Sequence, residues 1–207
     1  MRHQTEKKSV KNICIDIDGV LADTRKGLAD YCYEKLGVLI NPSLLERFKL
    51  REILEISKDK SNDLVSDFYN NGYGRFSPLP DSVEVVRKLS SFYTPYAVSG
   101  RPEYLEDGTK EWVHKIYHNS IKGILFAKAH DIKTPKNRPT KGEICEKLGA
   151  HFMVDDDSVY SLDCLNRGIH VLYLHGDHPL TNPRAIEVAS WQDILRYATG
   201  GLQQKVA

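Results

Sequence analysis

The chain has 207 residues, 41% of them hydrophobic, with 29 Lys and Arg against 28 Asp and Glu for a formal charge of +1. That length suits one domain with room for a small inserted subdomain. The charge balance leaves no electrostatic footprint for duplex nucleic acid or an anionic membrane, while a small phosphorylated ligand needs only a local positive site.

In chain order, the N-terminal "MRHQTEKKSVK" is charged, and no signal-like apolar region follows it. "NICID" (12–16) reads as a first buried strand. Residues 27–77 then carry three helical patterns, "GLADYCYEKLG", "PSLLERFKLREILEIS" and "SNDLVSDFYNNG". This stretch is too long for an ordinary crossover and reads as a helical cap inserted after the first strand, with "NNGYGRFSPLP" returning the chain to the core. Asp81 is placed as the cap of a helix through Leu89, with Glu84 in the capping-box position. "PYAVS" (95–99), "GILFA" (123–127), "HFMVD" (151–155) and "IHVLYL" (169–174) are continuous apolar runs, as expected of parallel strands covered on both faces. Thr140 and Glu143 form a second capping-box pattern, with Gly149 as its stop. Ser158 opens a helix ending at Gly168, and Ser190 opens a closing helix.

Strands alternating with helices imply right-handed crossovers. The expected fold is α/β: a Rossmann-like, doubly wound parallel sheet with a small inserted helical cap. Residues 1–26 and 78–207 make the core and 27–77 the cap. No apolar run approaches the roughly 20 residues that span a bilayer. Cys14, Cys32, Cys145 and Cys164 show no CxxC spacing and read as reduced thiols, so a cytoplasmic protein is expected.

Ligands of open α/β sheets sit beyond the carboxyl ends of the strands. There the first strand delivers Asp16, with Asp18 two residues on. The second delivers Ser99, Gly100 and Arg101; the fourth delivers Asp155, Asp156 and Asp157, and Lys141 opens the helix before it. Two carboxylates about 4 Å apart repel by roughly 4 kcal/mol at an effective dielectric near 20. Three in one crevice must protonate, splay or bind a cation. A hard divalent ion that keeps several waters and takes one or two carboxylates describes Mg²⁺, and no Cys/His pattern nearby suggests zinc. A metal-bound carboxylate can also attack phosphorus, a second can move protons, and a lysine can offset the charge.

"DIDGVLADT", "VSGR", the lysine of "PTKGE" and "MVDDD" resemble, in order, the four motifs of the haloacid dehalogenase superfamily. The resemblance implies a Rossmann-like core and Mg²⁺-dependent phosphatase chemistry. It makes Asp16 the nucleophile, and Asp18 the general acid/base whose backbone carbonyl also touches Mg²⁺. Ser99 becomes a phosphate binder, with Gly100 and Arg101 beside it, and Lys141 the charge-neutralising lysine, a role for which Lys133 competes. Asp155 becomes a metal ligand and Asp156 a water-mediated one. The first motif, the helical insert and "SWQDIL" are also similar to the 5′(3′)-deoxyribonucleotidase group, which implies a nucleotide or similar small phosphate ester as substrate, with homodimerisation open. "SGRPEYLEDGTKEW" is similar to polynucleotide 3′-phosphatase domains of the same superfamily. A phospho-accepting regulatory domain is the reading from another class, but its acids and lysine would stand in a different chain order.

Some features have plainer readings. Asp157 reads as a helix cap or a solvated acid, and Asp23 is expected to be structural, near the cap hinge. "HGDH" (175–178) is a solvent-facing loop rather than a metal site. Phe68, Tyr69, Tyr73 and Phe76 are contacts within the insert or a stacking surface for a base.

Overall fold

The computed structural model describes residues 10–46, 49–71, 76–129, 137–176 and 178–200. Strands β1 (Lys11–Ile15), β2 (Tyr93–Ser99), β3 (Gly123–Phe126), β4 (Phe152–Asp155), β5 (His170–Leu174) and β6 (Ala185–Val188) form one sheet in the order β3-β2-β1-β4-β5-β6, and every neighbouring pair is parallel. Between them run α1 (Thr24–Leu36), α2 (Leu50–Ile53), α3 (Lys58–Asn71), α4 (Ser82–Leu89), α5 (Glu106–Tyr117), α6 (Lys141–Lys147) and α7 (Ser158–Asn166), and α8 (Trp191–Ala198) follows β6. This is the expected doubly wound α/β sheet.

The continuous apolar runs have the expected cause. Alternate residues of each strand enter different cores. Ile13 and Ile15 of β1, Phe152 and Val154 of β4 and Leu172 of β5 pack with Val85, Leu89, Trp112, Trp191 and Ile194 of α4, α5 and α8. Cys14, Met153 and Val171, facing the other way, pack with Ile144, Cys145, Cys164 and Leu165 of α6 and α7. Both faces are covered, so neither set of side chains can be polar. All four cysteines are free and buried, and there they act as small hydrophobes.

The segment between β1 and its partner strand β2 is helical but less regular than its sequence suggests. The middle pattern breaks into a 3₁₀ turn, Pro42–Glu46, and the four-residue α2. A small apolar cluster of its own, Ala29, Cys32, Ile40 and Leu50, holds the segment together. Tyr31, Phe68 and Phe76 join it to the main core. Helix α1 begins at Thr24, capped by Asp23, whose side chain accepts from Lys26 N at 3.1 Å. The expected junction at 26/27 therefore falls inside α1.

One further expectation is corrected. Asp81 does precede α4, but at φ 64° it is left-handed and its side chain caps nothing, so no capping box forms; Glu84 instead pairs with Lys88 at 2.6 Å. A side-chain cap typically has negative φ and non-helical backbone at that residue. Strand β6 and helix α5 also went unforeseen. Short "AIEV" is a half-buried edge whose pattern is weak, and α5 starts in a 3₁₀ turn, Glu103–Leu105, without a side-chain cap. Thr140 and Glu143 do form a complete capping box, and Ser190 caps α8 through Asp193 N. Among the described residues no helix is long and apolar enough to cross a membrane.

Candidate active site

Strand order reverses between β1 and β4, and a crevice opens where their carboxyl ends diverge. Ile15 pairs with Val154, so the residues that follow each strand lie side by side, and Asp16 N donates to Val154 O at 2.9 Å. Ser99, at the end of β2, borders β1 on its other side. The sheet thus brings the three expected segments to one edge.

After Asp16 the chain turns sharply. Ile17 O accepts from Leu21 N at 2.9 Å and from Ala22 N at 2.8 Å. The turn is pinned from beneath: Trp191 Nε1 donates to Val20 O at 3.0 Å, and Tyr117 Oη donates to Leu21 O at 2.8 Å. Gly19 sits at φ 79°, and a Cβ there would lie 2.1 Å from Asp156 Oδ2. Glycine is required here both for the backbone angle and for the approach of that carboxylate.

Asp16, Asp155 and Asp156 are all buried, and each offers a carboxylate oxygen within 4.8 Å of the others. Lys141, 1% exposed, places Nζ 2.9 Å from Asp16 Oδ1 and 2.9 Å from Asp155 Oδ2. Its ammonium also lies 4.0 Å from the centre of the Tyr160 ring. Asp156 is bound at Oδ2 by Arg25 at 2.5 Å. One lysine and one arginine thus face three carboxylates. Burial raises Asp16 well above the ordinary carboxylate range; Lys141 opposes that rise, and Asp155 and Asp156 add to it. Burial raises Asp155 against the pull of Lys141, and lifts Asp156 to about 7 against Arg25. Burial depresses Lys141, but Asp155 and Asp16 outweigh it and raise the ammonium well above its usual value.

The donor set fits a hard divalent cation: oxygen only, surplus negative charge, and no thiol or imidazole in the cluster. Asp16, Asp155 and Asp156 are the side chains that would hold it.

Asp18 stands apart from that group. Its carboxylate faces Arg101, which binds it through both arms, Nε to Oδ2 at 2.8 Å and Nη2 to Oδ1 at 2.6 Å. Thr24 Oγ1 donates to it at 2.8 Å and Tyr69 Oη, from α3, at 3.3 Å. Burial pushes Asp18 up, but the charge and hydrogen bonds of Arg101, with those of Thr24 and Tyr69, outweigh it and hold the acid below its ordinary value. Arg101 is buried, with Phe76 and Tyr69 rings 5.0 and 5.3 Å from its guanidinium, and Arg138 Nη1 braces its carbonyl at 2.9 Å. Ser99 is fully buried and its Oγ accepts from Arg101 N at 3.2 Å. Gly100 passes so close to Tyr160 that a Cβ would lie 2.6 Å from the phenol oxygen.

Asp16, Asp18, Gly100, Arg101, Lys141 and Asp156 line a cavity of 810 Å³ that also takes in Arg25, residues of the helical segment, and His178, whereas Ser99 and Asp155 are fully buried and not part of its lining. Asp157 caps α7, accepting from Val159 N and Tyr160 N, as its plainer reading anticipated. His175 and His178 belong to no metal-ligating group among the described residues. Phe68 and Phe76 are core residues, which leaves Tyr69 as the aromatic of that set lining the cavity among the described residues. Lys133 and Tyr73 lie outside the described residues. Sequence reasoning missed Arg25, Thr24 and Tyr160, and it named Tyr69 for its ring rather than for the hydroxyl that reaches Asp18. The available signal was positional: Thr24-Arg25 opens the helix after the DxDG turn, and Tyr160 lies in the first turn after the acidic run.

No protein-family model matches the sequence, and no curated protein matches it at a significant level. Solved structures do. A haloacid dehalogenase-like family hydrolase from Streptococcus pneumoniae superposes with a TM-score of 0.63 at 18% identity, over 91% of this chain and 98% of that one. A candidate phosphoglycolate phosphatase from Lactobacillus delbrueckii subsp. bulgaricus gives 0.64 at 14% identity, over 91% and 98%. A candidate beta-phosphoglucomutase from Bacteroides vulgatus gives 0.57 at 16% identity, over 94% and 91%. The fold is therefore the haloacid dehalogenase-like α/β fold.

Proposed function

We propose that the protein is a Mg²⁺-dependent phosphomonoesterase that works through an aspartyl-phosphate on Asp16. The observation that carries this reading is the trio Asp16, Asp155 and Asp156, with oxygens within 4.8 Å of one another and a buried lysine bridging two of them. Bound there, Mg²⁺ would draw charge from the phosphoryl oxygens and hold the attacking carboxylate ionised.

A carboxylate oxygen of Asp16 bonds to phosphorus as the ester P–O bond breaks, and Asp18 gives its proton to the leaving oxygen. Water then attacks the acyl phosphate, its proton passes to Asp18, and the bond between phosphorus and Asp16 breaks. Lys141 stays at Asp16 and stabilises the charge that gathers on the phosphoryl group. Ser99, Gly100 and Arg101 hold the phosphoryl oxygens. Asp18, held by Arg101, is in the ionised form that the second step uses. Its service as an acid in the first step needs Arg101 to turn from Asp18, and an arriving phosphate supplies the competing anion.

The segment 27–77 acts as a cap over the crevice, supported by its own apolar cluster and by the reach of Tyr69 to Asp18. Small phosphate esters are the substrate class. Nucleoside monophosphates are one member; sugar phosphates and phosphoglycolate, the esters named for structural neighbours, are others. The test is hydrolysis of p-nitrophenyl phosphate, then of such a panel, with Mg²⁺ and with chelator. Asp16→Asn abolishes Mg²⁺-dependent turnover while the melting transition is retained. Undiminished turnover in that variant refutes the mechanism, and a stable phosphoprotein without turnover would favour a phospho-accepting domain instead.

A further inference from the structure

The floor of the 810 Å³ cavity is equipped for one phosphoryl group, but its cap side carries cations that such a group does not use. Between positions 27 and 77 the sequence holds eight acidic and seven basic residues, a nearly neutral mixture. The lining drawn from the described part of this segment is not neutral. It contains Lys49, Arg51 and Lys58 and no acid, together with Ser61 and Asn62. Two acids of the segment pair away from it, Asp30 with Lys26 and Asp67 with Lys35, while Glu52 stays beside the wall outside the lining, its carboxylate accepting from Lys49 N at 3.2 Å. Lys49 and Lys58 are exposed and make no ion pair among the described residues, while Arg51 reaches Glu52 only at 3.5 Å. Three cations against one nearby carboxylate leave a net positive charge on that lining, and a bound anion relieves it.

We propose that this wall is a second anion site. Lys49, Arg51 and Lys58 hold a phosphate or phosphodiester that the substrate carries in addition to the phosphoryl group on the floor. Leu28, Leu45, Leu50 and Val65, from the same segment, supply apolar lining for the body between the two charges. The inference rests on the phosphatase reading and narrows its substrates to esters with two anionic groups. The second group can be another monoester on a small molecule or a diester within a chain, and both present the same oxygens to the wall.

The test uses full-length Asp16→Asn in Mg²⁺, so that ligands bind without turnover. Calorimetry compares a nucleoside 5′-monophosphate, a nucleoside 3′,5′-bisphosphate and a 3′-phosphorylated dinucleotide. At least one of the two ligands with a second anion should bind about tenfold more tightly than the monophosphate, as expected of two or three exposed charge contacts. That difference should shrink at 0.5 M salt and close when Lys49→Gln and Lys58→Gln are added. Tight binding of the bisphosphate identifies a small-molecule source, and tight binding of the dinucleotide alone identifies a chain. Equal affinity for all three, no binding of any, or a difference that persists in the lysine variant overturns the proposal. Failure of the phosphatase reading shows separately, as absence of hydrolysis by the unsubstituted protein.

Discussion

Gly19→Ala separates the backbone of the DxDG turn from its chemistry. At φ 79° an L-residue pays the left-handed penalty, about 1–2 kcal/mol. For a chain of this size that lowers Tm by about 2–8 °C. The new methyl carbon would also stand 2.1 Å from Asp156 Oδ2 and 2.9 Å from its Cγ. The obstructing atoms end a flexible side chain, so the fold yields easily by moving them. That movement takes Asp156 off Arg25 and out of the carboxylate trio. Gly37→Ala is the matched control, because Gly37 has φ 68° and nothing within 4 Å of its Cβ position. Thermal unfolding and Mg²⁺ titration of the two variants decide the matter. Both should lose similar stability, and only Gly19→Ala should lose Mg²⁺ affinity, by about 10–100-fold. Full Mg²⁺ affinity in Gly19→Ala would refute the placing of Asp156 at the cation.

Lys141→Met strips the buried counter-charge from Asp16 and Asp155 and should destabilise the metal-free protein by about 3–5 kcal/mol at neutral pH. Burial already raises Asp16 above its unfolded value, and losing Lys141 raises it further, so the folded state gains protons and the deficit shrinks as pH falls; denaturant titrations at pH 7 and pH 5 check both sign and size. Mg²⁺ at a hundred times its Kd should add about 2.7 kcal/mol of stability, read as a rise in Tm, and Asp155→Asn should lose that response. Tyr117→Phe removes the hydroxyl shared by Leu21 O and Ser82 Oγ and should cost about 1–3 kcal/mol in urea unfolding, with turnover falling as the turn loosens.

The apolar runs along the chain were sufficient to anticipate five of the sheet's six strands, and the charges that follow them to place acids, a hydroxyl and a lysine at its edge. Buried parallel strands must be apolar on both faces, so their ends are marked wherever charge begins, and Asp16, Ser99 and Asp155 stand at those marks. Caps formed from Thr140 and Ser190 were legible because a side chain and its amide partner lie three residues apart. Asp81 shows the limit of that local logic, since one positive φ turns the same residue type away from its amides. What only the tertiary structure decided is how the charges are shared. Two acids two residues apart part company: Asp16 joins Asp155 and Asp156 around Lys141, while Asp18 turns to Arg101, Thr24 and Tyr69. Those partners lie from 6 to 140 positions away in sequence. Electrostatic energy depends on distance in space and on burial, and neither is written in the spacing of residues along a chain.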